Sequence, residues 1–425
     1  MLLVAASSVV SGMAPGAVAA GASASQSLVA LPDAAMQLTA YGGYVVFSQY
    51  DAQSDDWQLM DWHDGVVSTL PVAPRSVPFD VNAGSDASGQ PVVVYSRCAT
   101  EPSGAGQPLT NGVFLDWAHA AGCHIFELDL AGGQEQRVSA IGAPGASDST
   151  PAIWHGEIAF ARTYTSARRR IARIYLWRPG HGLERLQAGP GPCSPPLGCR
   201  HTKLSNPPNT TDTNDPRAYV SAMTLDRDVI GFEWTAIGPN VEDLGMVSEL
   251  VVDQLDGGPQ QVADSALYGG AGEYEAPGSP TAVGDSLLYL WQATLQGYSN
   301  NTRFVSFSPT TDSWSESKSS SGAQLAAVAS DGQTTYSLDY TPNPLASGSG
   351  TFPGYQAGIC SAQPVAGAGS SGGTCELTAN TGLQLQREKR HLYEVCPGPV
   401  TVRPNGNGAI YCQSPLNARR TTHRR

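Results

Sequence analysis

The chain has 425 residues, of which 41% are hydrophobic and only 14% are charged. Its 47 glycines and 31 prolines interrupt helices too often for a mostly helical protein. The formal net charge of -13 argues against a nucleic acid partner, because phosphate binding needs a concentrated cationic surface. We therefore expect a turn-rich, all-β protein that binds no nucleic acid.

The beginning of the chain has the pattern of an export signal. Met1 to Val10 form a short apolar run, and the small-residue stretch Ala17 to Ser25 follows it. This order predicts a signal peptide over residues 1–24 and a secreted or cell-surface location, whereas the alternative is a disordered tail rich in Ala and Ser. No later apolar run reaches the length of about 18 residues that suggests a transmembrane helix, so none is expected.

The cysteines independently indicate an oxidising compartment. They are even in number and have no short C-x-x-C knuckles, which argues against zinc and for disulfides. Cys98 ends one predicted strand and Cys123 begins the next, so a hairpin would place both at the mouth of a long loop. The alternative is eight free thiols in a cytosolic protein. The predicted pairs are Cys98 with Cys123, Cys193 with Cys199, Cys360 with Cys375, and Cys396 with Cys412.

Short β-rich runs recur along the chain, and most follow a Gly or Asp turn. Each is rich in Val, Ile, Phe, Tyr or Trp, which is typical of a buried strand. In five of the six units a second strand and another turn come after a variable loop. The six runs are Tyr44 to Tyr50, Val92 to Cys98, Ile158 to Tyr164, Val229 to Ile237, Leu287 to Leu295 and Thr334 to Tyr340.

The spacing of these runs fits propeller blades of about 40 to 50 residues with loop insertions. Two units align directly, S-T-P-A-I-W-H-G-E-I-A-F from Ser149 and G-S-P-T-A-V-G-D-S-L-L-Y from Gly278. We expect a β-propeller of six four-stranded antiparallel blades over residues 25–345. Residues 346–425 should form a loop-rich, disulfide-tied segment that could complete the last blade and ends in a disordered basic tail.

These units resemble the blades of secreted six-bladed TolB-type or WD40-like propellers. More narrowly, G-S-D-A-S-G-Q-P-V-V-V-Y-S-R-C from Gly84 and G-C-H-I-F-E-L-D-L from Gly122 are similar to uncharacterised exported bacterial propeller proteins. The resemblance covers roughly residues 40 to 340. It implies the architecture and transfers no catalytic residue.

Motifs of known chemistry are weak. G-x-S-x-G at Gly369 to Gly373 and an overlapping G-x-G-x-x-G from Gly367 lie in a Gly/Ser tract without the strand and helix that such motifs need. The eight histidines include no i, i+4 pair. The acidic loops around Asp51 to Asp56 and Asp212 to Asp215 could hold Ca²⁺, but neither has the required spacing, so turn formation is favoured and no cofactor is expected.

The acidic residues and tryptophans of these runs suggest an alternative to a pure binding protein, namely an enzyme that acts on polysaccharides. A polysaccharide hydrolase or lyase would need inward carboxylates at matched strand positions, and the acidic residues of these runs are unmatched. The tryptophans could line a groove, but aromatic side chains in strands more often pack between blades. They are Trp154, Trp177, Trp234, Trp291 and Trp314.

We therefore expect an exported, non-catalytic propeller that binds an extracellular or cell-surface protein or polysaccharide through its loops. The largest insertions should form the recognition face, because propellers present loops around a central channel. Those insertions are Thr100 to Gly122, Pro192 to Arg217 and Gln296 to Thr302. A hydrolase or lyase with carboxylates at the channel, and a purely structural envelope protein, are the rival classes.

Overall fold

The computed structural model describes most of residues 26–361 and two short strands beyond them. The gaps are residues 103–114, 116, 118, 167–168, 187–217, 238–245, 256–260, 268–272, 296–297, 312, 319–323 and 343–354. The predicted signal peptide, the insertion 192–217, the Gly/Ser tract and every cysteine except Cys98, Cys123 and Cys360 lie outside the described residues. The described part contains strands and turns and no helix.

Six antiparallel sheets of four strands each make up the described chain between residues 26 and 361, which confirms the six-bladed, all-β prediction. The first strand of the chain, β1 (Gln26–Ala30), belongs to the last blade. Blade one contains β2 (Ala35–Tyr41), β3 (Tyr44–Asp51), β4 (Asp56–His63) and β5 (Val66–Thr69). Blade two contains β6 (Asn82–Ser85), β7 (Pro91–Arg97), β8 (His124–Asp129) and β9 (Glu135–Arg137). Blade three contains β10 (Ala146–Trp154), β11 (Glu157–Ser166), β12 (Arg169–Arg178) and β13 (Gly182–Arg185).

The other three blades follow the same order. Blade four contains β14 (Ala218–Asp226), β15 (Val229–Ile237), β16 (Met246–Gln254) and β17 (Gln261–Leu267). Blade five contains β18 (Glu273–Val283), β19 (Ser286–Leu295), β20 (Tyr298–Ser308) and β21 (Ser313–Lys318). Blade six contains β22 (Gln324–Ser330), β23 (Thr335–Pro342) and β24 (Tyr355–Ser361), with β1 as its fourth strand. A separate ribbon pairs β25 (Arg403–Pro404) with β26 (Ile410–Tyr411).

The six runs taken from the sequence as the first strands of the units are the second strands of the blades. In each blade the innermost strand comes before the apolar run named in the sequence analysis. It contains a shorter stretch of apolar residues than that run, because one side of the strand faces the channel. Strand β24 lies in the segment after residue 345 and pairs with β1 from Gln26↔Ser361 to Ala30↔Gly358. The ring therefore closes by joining the beginning of the described chain to its far end.

One aromatic residue per blade sits in the second strand and fills the core between blades. In five blades it stands four residues after the Gly or Asp of the preceding turn, and in blade two it stands four residues after Pro91. All six side chains are fully buried, which removes a large apolar surface from water at each blade. They are Phe47, Tyr95, Phe160, Phe232, Tyr289 and Tyr336.

Gly84 allows blades two and three to approach each other closely. A Cβ atom at this position would overlap the backbone oxygen of Ile153 in the next inner strand. Across the same contact, the Gly156 N–H donates to the Ser85 carbonyl at 2.8 Å, and the Ile153 N–H donates to Asn82 Oδ1 at 3.0 Å. Any side chain at residue 84 would separate the two strands and weaken both bonds.

Gly84→Ala should lower the free energy of unfolding by about 1 to 3 kcal/mol, the usual cost of overpacking. Gly278→Ala is the matched control, because Gly278 also lies in an inner strand but a Cβ atom added there would have no neighbour within 4 Å. Urea unfolding of both variants measures the difference. Equal stability of the two variants would contradict the close approach of blades two and three.

Candidate functional site

The first strands of the six blades, β2, β6, β10, β14, β18 and β22, contact one another in sequence around the ring. They enclose a central channel with a cavity of about 660 Å³. Because consecutive strands are antiparallel, the turns joining strands one and two all lie at one end of the channel, which we call the turn end. The connections between strands two and three, and those between blades, lie at the other end, which we call the cap end.

Bulges interrupt the inner strands where they line the channel. The register with the second strand shifts near Gln37 in β2, Thr150 in β10 and Ser279 in β18, and these residues have positive φ angles of 56°, 48° and 51°. Such a backbone is rare for residues other than glycine and is concentrated at functional sites. Pro151 and Pro280 follow two of the bulges and cannot donate a ladder hydrogen bond, which fits the break in pairing.

Polar side chains of the inner strands form hydrogen bonds across several of the blade interfaces. Thr39 Oγ1 accepts a hydrogen bond from the Ala83 N–H at 2.8 Å, and Thr224 Oγ1 accepts one from the Ala282 N–H at 2.9 Å. Thr281 Oγ1 donates to the Val328 carbonyl at 3.1 Å. These channel-lining hydroxyl groups therefore have a structural role, since they satisfy backbone groups across the blade interfaces.

The loop between β7 and β8 covers the cap end of the channel. Its described residues Leu115 and Trp117 line the cavity and are 7% and 3% exposed. They pack in one apolar cluster with Cys123 and with Tyr219, which begins the inner strand of blade four. A loop of blade two thus reaches a non-adjacent blade across the channel.

A disulfide and a buried ion pair hold the base of this loop. Cys98 is bonded to Cys123, as the hairpin argument predicted. The guanidinium group of Arg75 donates to Asp80 at 3.1 Å and to Glu101, in the loop itself, at 2.5 Å. Asp80 also accepts a hydrogen bond from the Thr150 N–H at 2.8 Å, which connects the loop base to the channel wall.

At the turn end, an aromatic pair lies beside acidic groups. The rings of Tyr41 and Trp154 have centroids 6.2 Å apart and planes at 81° to each other, and both residues line the channel. Tyr41 belongs to blade one and Trp154 to blade three, so they meet past blade two. This contact is possible because β6 is only four residues long and Gly84 lets blade three approach.

Asp226 and Asp331 are the carboxylates of the turn end that line the channel. Asp226 Oδ2 accepts from the Gly284 N–H at 2.5 Å, whereas its buried Oδ1 has no hydrogen-bond partner among the described residues. Burial raises the pKa of Asp226 above its ordinary value, against opposing effects of the Gly284 N–H and of Arg227. Asp331 accepts from the N–H groups of Gln333 and Thr334 at 2.9 and 2.7 Å.

The predicted disulfides and metal ligands can be followed only in part. Cys360 is also disulfide-bonded, and its predicted partner Cys375 lies outside the described residues. In the acidic loop of blade one, Asp51 accepts from the Gln53 N–H at 2.9 Å and from Ser54 Oγ at 2.9 Å, which is turn-forming geometry. Within the described residues, no group of three or more His, Cys, Asp or Glu side chains is arranged to hold a metal ion.

The tryptophans divide between blade packing and the channel. Trp234 is 3% exposed inside the core between blades three and four, and Trp177 packs against the core between blades two and three. Trp154 alone among the three described tryptophans of the predicted groove lines the channel. The side chains of Trp291 and Trp314 lie outside the described residues.

The third predicted recognition loop is a strand rather than an insertion. Residues Tyr298 to Thr302 belong to β20, which pairs with β19 up to Leu295↔Tyr298. Thr100 to Gly122 does connect strands two and three at the cap end, and the ends of β13 and β14 that flank 192–217 lie at that same end. The sequence reasoning did not assign Tyr41 and Asp226, whose only local signal is their position at the end of an inner strand.

No family model and no curated protein sequence matches the chain. Among solved structures it is similar to TolB from Acinetobacter baumannii, at 10% identity and a TM-score of 0.36, over 68% of this chain and 55% of that one. It is similar to puromycin hydrolase at 11% identity and a TM-score of 0.38, over 73% and 50%. It is also similar to the polysaccharide lyase Uly1, at 8% identity and a TM-score of 0.38, over 76% of this chain and 88% of that one.

The chain spans about half the length of the first two of these proteins. At this level of similarity, the assignment as a six-bladed propeller depends on the strand pairing of the chain itself. The described residues contain no helix long and apolar enough to cross a membrane.

Proposed function

We propose that this protein is an exported, non-catalytic propeller that binds an extracellular or cell-surface protein or polysaccharide. The observation that carries the proposal is the use of the channel carboxylates. Asp80, Asp226 and Asp331 each accept hydrogen bonds from backbone N–H groups of their own or a neighbouring blade. Carboxylates held in this way stabilise the ring, whereas a glycosidase needs an opposed acid and base on either side of its substrate.

The disulfides support an oxidising location for the protein. Both Cys98 with Cys123 and the bonded Cys360 would be reduced in a typical cytosol. The cap end supports binding through loops, because the long connections emerge there from a scaffold of buried strands. Leu115 and Trp117 restrict access to the channel from this end, so a large partner would contact the loops rather than enter the channel.

The test compares binding with cleavage on one set of polysaccharides and envelope proteins. The full chain is incubated with immobilised polysaccharides of neutral and uronic type and with cross-linked cell-envelope proteins. We expect capture of a defined partner that leaves it chemically intact by mass spectrometry. Deleting residues 192–217 should abolish capture, while shortening the Asp51–Asp56 turn of blade one, at the same end, should not.

Two results would overturn the proposal. If a polysaccharide is shortened by the protein, and Asp226→Asn or Asp331→Asn abolishes the shortening, the hydrolase or lyase alternative is correct. If neither kind of partner is captured by the folded full chain, a structural role in the envelope replaces a binding role. Circular dichroism of each variant verifies that the blades are folded.

A further inference from the structure

The turn end of the channel combines two aromatic walls with a carboxylate. The rings of Tyr41 and Trp154 form a corner, since their planes are 81° apart. Asp226 lines the same cavity from blade four. Aromatic faces attract cations through their quadrupole, and a nearby carboxylate adds a charge partner. A corner of rings with one carboxylate is the arrangement that recognises alkylated ammonium groups.

The described contacts of Asp226 use only one of its two carboxylate oxygens. Oδ2 is occupied by the Gly284 N–H, and Oδ1 is buried and has no partner among the described residues. A partly buried carboxylate charge costs free energy, and a cation bound nearby in the channel would offset part of that cost through its charge.

The charges around Asp226 come from three turns. Arg227 belongs to the same turn, His155 to the turn of blade three, and Asp285 to the turn of blade five. Asp331 lines the channel from blade six. Among the described residues of these four turns, the carboxylates outnumber the guanidinium group of Arg227, so these turns carry a net negative charge at neutral pH.

A metal ion fits this site less well than an organic cation. Hard cations such as Ca²⁺ need six to eight oxygen ligands, and the described residues hold no group suited to a metal. Two aromatic side chains, those of Tyr41 and Trp154, line the same cavity as Asp226. The cavity of about 660 Å³ is also large enough for a small organic molecule or a protruding side chain.

We propose that the turn end binds an alkylammonium group between Tyr41, Trp154 and Asp226. This inference rests on the proposed binding function and names a ligand chemistry for the channel, separate from the loops of the cap end. The aromatic corner favours the quaternary ammonium group of a small organic compound, whose methyl groups give the cation an apolar surface. An exposed lysine of a protein partner and an amino sugar of a polysaccharide are the other outcomes of the test.

The test titrates the full chain with choline and with its neutral analogue, in which a tert-butyl group replaces the trimethylammonium group. Binding is measured by calorimetry and by ligand-observed NMR. Choline should bind about tenfold more tightly than the analogue, because only the charge differs. Equal binding of the two ligands, or no binding of choline to the folded wild-type chain, would overturn the inference without needing any variant.

Binding measurements on variants then test which residues form the choline site. Asp226→Asn keeps an acceptor for the Gly284 N–H but removes the charge, so it should weaken choline binding about tenfold and leave the analogue unchanged. Asp228→Asn is the matched control, because Asp228 is exposed two residues away and does not line the channel. Trp154→Leu should abolish the preference for choline, and Trp154→Phe should retain part of it. Identical effects of Asp226→Asn and Asp228→Asn would overturn the assignment to Asp226.

Acidification gives a second readout. Burial raises the pKa of Asp226, and a protonated carboxyl no longer attracts a cation. Choline affinity should therefore be full at neutral pH and fall as the pH drops through that raised pKa. His155→Gln removes the ionisable ring nearest to Asp226, so the pH dependence that remains in this variant belongs to the carboxylates. A pH-independent affinity for choline would overturn the role of Asp226.

Titrations with two further cations identify the source of the bound group. They also separate this inference from the proposed function. N-acetyl-lysine methylamide represents a protein side chain, and glucosamine with glucose as its neutral control represents a polysaccharide. The source is the ligand whose affinity depends on both Trp154 and Asp226. If no cation binds but deletion of residues 192–217 still abolishes partner capture, this inference fails while the proposed function stands.

Discussion

Arg162→Met should lower the free energy of unfolding by about 3 to 5 kcal/mol, the typical cost of removing one partner of a buried ion pair. Arg162 Nε and Nη2 donate to the two carboxylate oxygens of Asp148 at 2.6 and 2.9 Å. The two side chains are only 3% and 2% exposed. Methionine would preserve much of the packing against Phe160 and Tyr175 but would remove the ion-pair partner of the buried Asp148 carboxylate. Urea unfolding at neutral pH measures the loss.

The pH dependence of this variant has a defined sign. Burial already raises the pKa of Asp148 even beside Arg162, and removing the guanidinium group would raise it further. In the variant, the carboxyl group of Asp148 then binds a proton more tightly in the folded state than in the unfolded state. The penalty should be complete at neutral pH and shrink as the pH falls through the raised pKa.

Two further variants make this prediction specific. Asp148→Leu combined with Arg162→Met should recover most of the lost stability, because an apolar pair replaces both buried charges. Arg178→Met is the matched control, since the side chains of its ion pairs with Glu157 and Glu184 are 28% to 60% exposed, and these pairs should contribute less than about 1 kcal/mol. An equal loss of stability in Arg162→Met and Arg178→Met would contradict the importance of burial.

Replacing Cys98 and Cys123 together with alanine should lower the free energy of unfolding by about 3 kcal/mol. The disulfide closes a loop with a sequence separation of 25, and loop-closure entropy of the unfolded chain accounts for a loss of this size. The loop also loses its anchor over the cap end, so Leu115 and Trp117 should become more accessible. Thermal unfolding and limited proteolysis of residues 99–122 measure the two effects.

The control for this second prediction is Cys98→Ala alone. It breaks the same bond but leaves the Cys123 thiol in its buried position, so it separates the loss of the bond from the loss of packing at Cys123. Mapping of free thiols in the wild-type chain confirms the starting state. Unchanged thermal stability in both variants would show that the loop base is held by Arg75 and Glu101 instead.

The blades could be predicted because their pattern is local. Each second strand is a nearly continuous apolar run after a Gly or Asp turn, as in Val92 to Tyr95, and such runs identify strands buried on both faces. The Cys98–Cys123 pair followed from the same reasoning, because strands adjacent in sequence usually pair. The inner strands were harder to recognise, since their bulges and channel-facing polar residues break the alternation.

The candidate site could not be predicted, because it depends on contacts between distant blades. Tyr41 and Trp154 meet only because β6 is short and Gly84 admits the backbone of blade three. From the sequence, Trp154 was one of five tryptophans considered for a groove, and Tyr41 had no distinguishing signal. The error at Gln296 to Thr302 has a simpler cause, because polar residues such as Asn300 and Asn301 favour loops but here continue a long hairpin.

The pairing of β1 with β24 has a consequence for synthesis on the ribosome. Gln26 emerges early, yet its partner Ser361 emerges only after all the strands of the ring have been made. Strand β1 therefore stays unpaired while blades one to five form. During that time its free edge can pair with strands of other chains. A truncated product that stops before Tyr355 cannot protect this edge, so premature termination should yield aggregation-prone chains rather than smaller propellers.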